Sequence, residues 1–549
     1  MLFSSWQFIF VFLPIAVAGF FAIPARAQVA RKWWLLVASL AFYAYWKVEY
    51  VPLLLFSIGF NYVAAEGITR ARKERTSNVQ RPTSNIQSAA GGRRRIIGRW
   101  TLDVGRWTFR RPAFLLAAGV TINLLLLGYF KYTNFLLDAL GHAGGPVFAR
   151  LDIMLPLAIS FFTFTQIGYL VDVYRDAKLH YRLLDYSVFV TFFPHLIAGP
   201  IVRHWELIPQ FAHKELKANR EDMGAGIAMF LLGLYKKVLL ADPASRFADV
   251  VYGAAEAGTA ITWFDGWLGT IAYAMQIYFD FSGYSDMAIG LARMFGMKFP
   301  CNFDSPYKAG NIIEFWRRWH ITLQRFLREY LYFPLGGNRC GKARHLLNIL
   351  ITMIVSGLWH GAGWTFLVWG ALHGVYLVIA HLWRKFREAR GWHFTHWSYR
   401  GACVIVTFIA VLYAWVFFRA KTLPQAGRVV ASMVGLNGYT IPVGVNDPNR
   451  SPGPLLQKLG FRFTETNLAN KFYKPGMRWM LALLLITFLL PNTQQLLRAT
   501  EPTLEPVERP SRLRFSFNAV TGLILGVLLF LVVCSWFIAR PSPFIYFNF

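Results

Sequence analysis

Long apolar runs alternate with short polar or basic segments along the whole chain, at a spacing suited to repeated membrane crossing. The runs lie near Phe3–Ile23, Trp33–Tyr45, Val51–Ala64, Pro112–Tyr129, Leu155–Tyr174, Gly224–Leu240, Trp263–Phe281, Leu346–Leu358, Trp364–Leu382, Gly401–Phe418, Met477–Leu490 and Ala519–Ile538. A helix needs about 20 apolar residues to cross the hydrocarbon layer. The runs are continuous instead of alternating, which selects helices over barrel strands. Tyr186–Val202 is also apolar, but Pro194, Gly199 and Pro200 interrupt it, so it reads as re-entrant. The pattern predicts an all-α fold over residues 1–549: a polytopic transmembrane helical bundle of about eleven or twelve spans, with re-entrant and interfacial helices. No internal repeat is visible. The first run lacks a basic leader and reads as a retained span, although Ala25-Arg26-Ala27 resembles a cleavage site.

The segments between runs set an orientation. With the N-terminus outside, Arg26/Arg31/Lys32, a basic loop at Arg70–Arg111, the Arg293–Arg344 stretch, Arg384–Arg390 and Gln494–Arg514 all fall on the cytoplasmic side. The Arg70–Arg111 segment carries Arg93-Arg94-Arg95 among Ser, Thr, Asn and Gln with no apolar period, and reads as a loop. Residues 300–345 form an interfacial or re-entrant cytoplasmic segment. The long polar loop at 421–478 and the C-terminus then lie outside, in the periplasm of a bacterial inner-membrane protein.

Composition narrows the class. Hydrophobic residues make up 55% of the 549 and charged residues 15%, against about 25% charged in soluble domains. The formal charge of +29 is confined to segments between runs, where it meets anionic lipid headgroups; with no nucleic-acid motif beside it, nucleic-acid binding is excluded. Cys301, Cys340, Cys403 and Cys534 have neither metal-site nor redox spacing, so no metal centre or disulfide framework is expected.

Chemistry is sought where an ionisable side chain sits at membrane depth. His360 lies in SGLWHGAGWTFLVWGALHG, with Gly357, Gly361 and Gly363 permitting close approach and Trp359, Trp364 and Trp369 walling it. Histidine exchanges protons near neutral pH; a packed core histidine is the competing reading. Upstream, NFDSPYKAGNIIEFWRRWHITLQRFLREYLYFPLGGN (302–338) is amphipathic and contains His320, forty residues before His360, too far for sequence to bring them together. Asp280 and Asp286 either line a tunnel or pair with basic residues to hold the bundle; His373 reads as packing and His195 has no assignment.

Several blocks occur in a familiar order: FSSWQFIFVFLP, LPLAISFFTFTQIGYLVDVYR, FFPHLIAGPIVR, QIYFDFSGYSDMAIGLARMFG, EFWRRWHITL and LWHGAGWTF. Together they resemble the membrane-bound O-acyltransferase superfamily, in particular its bacterial branch that serves alginate O-acetylation and teichoic-acid D-alanylation. The resemblance implies helices around a central tunnel, with His360 as catalytic histidine and His320 at the second signature position. It implies movement of an acyl group, most simply acetyl, from a cytoplasmic thioester across the membrane for O-acetylation of an exopolysaccharide such as alginate. The donor would be acetyl-coenzyme A or another acyl thioester, with no resident cofactor. A periplasmic SGNH-hydrolase-like acetyltransferase and a polysaccharide synthase complex are the expected partners. Arg317, Arg318, Arg325 and Arg328 are candidates to attract donor phosphates at the cytoplasmic face, against a competing role in anchoring to lipid. Two other classes compete: a transporter or flippase without chemistry, and a non-catalytic scaffold of a synthase complex.

The charge register makes a direct prediction. In a cysteine-free background in intact cells, Asn446→Cys reacts with an impermeant thiol reagent and Ser84→Cys does not; the opposite pattern inverts the topology.

Overall fold

The computed structural model describes residues 1–79, 111–142, 144–146, 148–212, 216–394, 396–443, 452–465, 473–506, 511, 513, 515–538 and 544–545. Its centre is the 32-residue helix Trp263–Met294. A capping box starts it: the Thr262 hydroxyl accepts from the Asp265 amide, and the Asp265 carboxylate accepts from the Thr262 amide, both at 3.1 Å. Every residue from Ile277 to Ala292 is buried, so this helix meets protein on all sides and carries Asp280, Ser282, Ser285 and Asp286 in its interior half.

Against it lies Arg220–Glu256, helical throughout with a π-helical stretch at Lys236–Ala241. Two glycine pairs bring the backbones into contact. A Cβ at Gly283 would fall 2.6 Å from the Gly233 carbonyl oxygen, and one at Gly290 2.6 Å from that of Gly226. Small residues allow this approach, and packing drives helix association where burial from water cannot. Beyond the crossing, the wider π turn directs consecutive lysines at the central helix. Lys236 pairs with Asp286 at 2.6 Å, and Lys237 with Asp280 at 2.9 Å and Asp242 at 2.7 Å. Asp286 also accepts from Gln494 at 2.8 Å, and Asp280 from the Ile545 amide at 2.8 Å. Of the two readings open for these aspartates, the structure gives the paired one.

The described residues are all-α apart from a parallel pairing of Thr440–Pro442 with Arg462–Thr464. Among the described residues, six helices are long and apolar enough to cross a membrane: Val48–Lys73, Arg111–His142, Arg220–Glu256, Trp364–Ala389, Trp397–Arg419 and Ala519–Phe537. Phe8–Ala22 and Pro475–Leu489 are shorter apolar helices. The expected eleven or twelve spans are therefore not matched by length and composition alone. The difference lies in helices such as Gln28–Ala44, Ile159–Arg175, Trp263–Met294 and Lys342–His360, which are shorter or carry polar residues that other helices cover.

Other expectations change in detail. The helix from Val51 runs on to Val79, so the first ten residues assigned to the Arg70–Arg111 loop are helical; residues 80–110, with the arginine triplet, lie outside the described residues. The 421–478 segment contains the helices Leu423–Met433 and Gly453–Lys458 and the strand pair, and Tyr473 already begins the next helix; Asn446–Asn449 lie outside the described residues. Tyr186–Val202 is broken as expected, into Leu183–Thr191 and Phe193–Leu196 with Gly199 at φ 115°, and residues 185–204 are all buried. Irregular backbone is thus covered by protein, as a membrane interior demands.

The helix crossing yields a stability test. Gly283→Ala forces a methyl group against backbone and should cost about 1–3 kcal/mol, read as a lower unfolding temperature in detergent. Gly59→Ala meets nothing within 4 Å and should be neutral or slightly stabilising, as alanine favours helix. Equal effects of the two substitutions would refute backbone contact at Gly283.

Candidate active site

His360 is the last residue of Lys342–His360, a helix that starts after Gly341 and ends where Gly361 turns extended. The chain reverses through Gly361-Ala362-Gly363 into Trp364–Ala389. The hairpin closes on glycines: a Cβ at Gly357 would meet the Phe366 carbonyl oxygen at 2.3 Å, and one at Gly370 the Met353 carbonyl oxygen at 2.4 Å. Gly361 lies against the Phe366 ring. These glycines therefore serve helix–helix contact in this hairpin.

The His360 ring is buried, with ring centroids of Trp359 and Trp369 each at 4.8 Å and Phe418 at 5.4 Å. Trp364, expected in the same wall, is instead 54% exposed and packs on Phe135, because it starts the next helix on its outer face. His360 Nδ1 lies 2.6 Å from the Ser356 carbonyl oxygen. A carbonyl only accepts, so Nδ1 carries the proton and Nε2 holds the lone pair.

His320 reaches the same place by another route. Asn311 caps Ile312–Arg318 through the Glu314 amide at 2.9 Å, Trp319 turns extended, and His320 takes the left-handed conformation (φ 45°) before Ile321–Leu327 begins. Such a residue outside glycine costs about 1–3 kcal/mol and persists where its surroundings hold it. Asn302 supplies that hold. Its backbone carbonyl accepts from the Ile321 amide at 3.0 Å, and its side-chain oxygen accepts from the Thr322 hydroxyl at 2.9 Å and faces His320 Nδ1 at 3.1 Å. The Thr322 hydroxyl accepts from the Ile201 amide at 2.9 Å, and the Asn302 amide donates to Ser285 at 3.0 Å. This network makes the Asn302 oxygen an acceptor, so His320 also bears its proton on Nδ1 and its lone pair on Nε2.

The imidazoles belong to one aromatic cluster: His360 and His373 both pack on Trp369, Trp369 stacks on Trp415, and Trp415 packs on Trp319, the residue before His320. His373 accepts from Trp316 Nε1 at 3.3 Å and packs between Trp316 and Trp369. Among the described residues, Trp359 Nε1, Trp369 Nε1, His320 Nε2 and His373 Nε2 are buried without a hydrogen-bond partner in the protein. Unpaired buried polar groups are costly and concentrate at functional sites. A cavity of about 140 Å³ opens beside His360 and Trp359, lined also by Lys131, Ser160, Ile197 and Trp46.

The arginines divide. Arg318 is buried in an ion pair with Glu314 and donates to the Ser305 carbonyl, and Arg325 pairs with Glu206 at 2.7 Å. Arg317 and Arg328 are exposed. Arg318 is therefore committed to holding the turn that carries His320. His195 is buried against Phe189, Phe192 and Phe299.

Two residues that the sequence reading passed over also belong here. Asn302 has no motif signal beyond its place in the NFDSP turn. Lys131 had one: an ammonium inside the apolar run LLLLGYFKYTNFLL.

A geometry of two proton-accepting imidazoles in a low-dielectric bundle fits acyl transfer to a hydroxyl, and comparison with known proteins decides the family. The membrane-bound O-acyltransferase family profile matches residues 173–422, which include both histidines. Peptidoglycan O-acetyltransferase of Helicobacter pylori is 37% identical, covering 100% of this chain and 98% of that protein. The chain belongs to the membrane-bound O-acyltransferase family. The probable alginate O-acetylase of Azotobacter vinelandii is 39% identical over 80% of this chain and 79% of its own length. Teichoic acid D-alanyltransferase of Streptococcus thermophilus is 28% identical over 42% of this chain and 57% of its own. As a member, the protein is a multi-pass membrane O-acyltransferase.

The Asn302 network predicts a separable effect. Asn302→Ala leaves the His320 N–H and the Thr322 hydroxyl unsatisfied at a cost of about 1–3 kcal/mol; if that penalty falls on the transition state, transfer drops about ten- to hundredfold. Asn302→Asp keeps the acceptor and should retain more activity at matched protein level. Wild-type turnover by a well-inserted Asn302→Ala enzyme would remove Asn302 from the site.

Proposed function

We propose that this O-acyltransferase takes an acetyl group from a cytoplasmic thioester, acetyl-coenzyme A or a related donor, and delivers it to a hydroxyl on the extracytoplasmic side for O-acetylation of a cell-envelope glycan. The observation that carries the chemistry is the commitment of His360 Nδ1 to the Ser356 carbonyl, which leaves Nε2 as a base. In the reaction, Nε2 accepts the hydroxyl proton as the oxygen attacks the thioester carbonyl. The C–O bond forms, the C–S bond breaks, and the proton passes to the departing thiolate. The buried, unpaired indole N–H groups of Trp359 and Trp369 support a role in stabilising the oxyanion. His320, fixed by Asn302, orients the acyl group. General-base assistance supplies about 10²–10⁴ in rate, so positioning and oxyanion stabilisation supply the remainder.

For the acceptor, the end-to-end similarity to a peptidoglycan O-acetyltransferase favours peptidoglycan. The second reading is an exopolysaccharide such as alginate, favoured by the slightly higher identity to the alginate O-acetylases over four-fifths of the chain. In either case the acetyl group passes onward with a periplasmic SGNH-hydrolase-like acetyltransferase as partner, and exposed Arg317 is the better placed of the two arginines to meet donor phosphates. The proposed setting is a bacterial inner membrane with both termini outside.

A deletion strain carrying each variant tests this. His360→Ala should abolish glycan O-acetylation with normal membrane levels, and His320→Ala should reduce it less completely. Ester acetate is measured separately on muropeptides and on secreted polysaccharide. Loss confined to muropeptides supports the first acceptor, and loss confined to secreted polymer the second. Full acetylation by a well-expressed His360→Ala protein would refute the catalytic assignment.

A further inference from the structure

Lys131 lies deep in Arg111–His142, a helix that the rest of the protein covers only sparsely. An ammonium in such a place is expensive and persists when it is paired and functional. Among the described residues its partners are carbonyls: Lys131 Nζ donates to the Trp359 oxygen at 2.5 Å and to the His360 oxygen at 3.1 Å. The next residue completes the set, with the Tyr132 hydroxyl donating to the Leu358 oxygen at 2.8 Å. The last carbonyls of a helix have no partners within it. Here consecutive side chains from a helix more than two hundred residues earlier take three of them, at the terminal turn that carries His360.

The same turn is where the imidazole is fixed from inside, by the bond from Nδ1 to Ser356. A backbone shift at 358–360 therefore moves Nε2 directly. Lys131 and His360 also share the wall of the 140 Å³ cavity. Its facing wall is built to a fixed shape: Ala158 is held at φ 63°, and the Tyr43 hydroxyl donates to the Leu157 carbonyl at 3.0 Å.

We propose that Lys131 is a positioning residue for His360: its ammonium, aided by the Tyr132 hydroxyl, clamps the carbonyl end of the histidine helix and sets where the base meets a hydroxyl entering the cavity. This rests on the reading of His360 as the base. Lys131 acts through backbone carbonyls, so its contribution should exist only when His360 is present.

The experiment is a kinetic cycle on the purified full-length enzyme in liposomes, with acetyl-coenzyme A as donor and a soluble peptidoglycan disaccharide as acceptor in the presence of the periplasmic SGNH-hydrolase-like partner, read as thiol release and as acetylated disaccharide. Lys131→Met should lower kcat about ten- to hundredfold with KM for both substrates nearly unchanged, as expected for misplacement of a catalytic group. Tyr132→Phe should lower kcat several-fold. Lys131→Arg, which keeps a cationic donor, should recover part of the loss; Lys131→Gln is the alternative should the methionine variant not accumulate. The double variant Lys131→Met/His360→Ala should be no slower than His360→Ala alone. Unchanged kcat in Lys131→Met overturns the proposal, as does a raised KM at constant kcat, which would make Lys131 a substrate ligand. Additive losses in the double variant also overturn it. Full activity of His360→Ala would instead bring down the reading of the base, and the clamp with it.

Discussion

The direct backbone contact between Arg220–Glu256 and Trp263–Met294 is the constraint to which the rest of the site is referenced. Glycines seven apart on each helix, at 226 and 233 and at 283 and 290, face one another across it. Seven residues are two helical turns, so the contact repeats on one face. From the central helix the geometry passes outward in two directions. Ser285 accepts from Asn302, which holds His320, and Phe281 packs edge-on against the His320 ring at 4.7 Å. On the other side the Tyr307 hydroxyl donates to the Ala274 carbonyl at 2.8 Å and accepts from Trp415 at 3.1 Å. Trp415 in turn stacks on Trp369, which walls His360. Loosening the crossing would therefore shift both imidazoles relative to one another.

The interior charges follow the same logic. Lys236, Lys237, Asp280 and Asp286 are deeply covered, and each has an opposite charge within 3 Å. Burying two ions costs several kcal/mol per ion before their attraction is counted, so these pairs are weak evidence for added stability. Their effect is on register: a helix that slid by one residue would strand an aspartate. At the histidines the opposite holds. Each ring's Nδ1 leans on a neutral oxygen, the Ser356 carbonyl for His360 and the Asn302 side chain for His320. A carboxylate in that position would favour the imidazolium, whereas a carbonyl or amide oxygen fixes the tautomer without adding a full negative charge.

Much of the fold was legible because apolar runs and basic segments are physical requirements of a bilayer. The helices at Arg111–His142, Trp364–Ala389 and Trp397–Arg419 stand where the runs placed them. Length and hydropathy alone leave the covered helices uncounted, because hydropathy does not distinguish a helix facing lipid from one facing protein; Trp263–Met294, buried with two aspartates, is the clearest case. At the site, His360 stood out as an ionisable residue among apolar ones, and the ordered blocks supplied His320. Their meeting depends on the turn at Trp319-His320 and on Asn302, neither of which has a periodicity to detect. Trp364 misled because a tryptophan near a histidine in sequence sits on the outer face once the chain reverses at Gly361. Arg318 looked like its neighbour Arg317, and only the position of Glu314 separates an internal ion pair from an exposed cation.

Both imidazoles sit where a helix is interrupted: His360 at a C-terminus and His320 at a left-handed residue between two short helices. A side chain in mid-helix is surrounded by backbone whose donors and acceptors are already paired. At an interruption, backbone and side-chain groups become available to orient a ring, and the chain can bend so that residues forty apart in sequence enter one buried aromatic cluster. The cost is unpaired carbonyls and strained backbone inside a membrane protein, where water does not offset them. The Ser356 carbonyl, the Asn302 amide and the Lys131–Tyr132 pair each satisfy groups that such interruptions expose. Stabilising the broken helices and aiming the bases are thus one set of contacts, and a change that relaxes the strain would also be expected to move the chemistry.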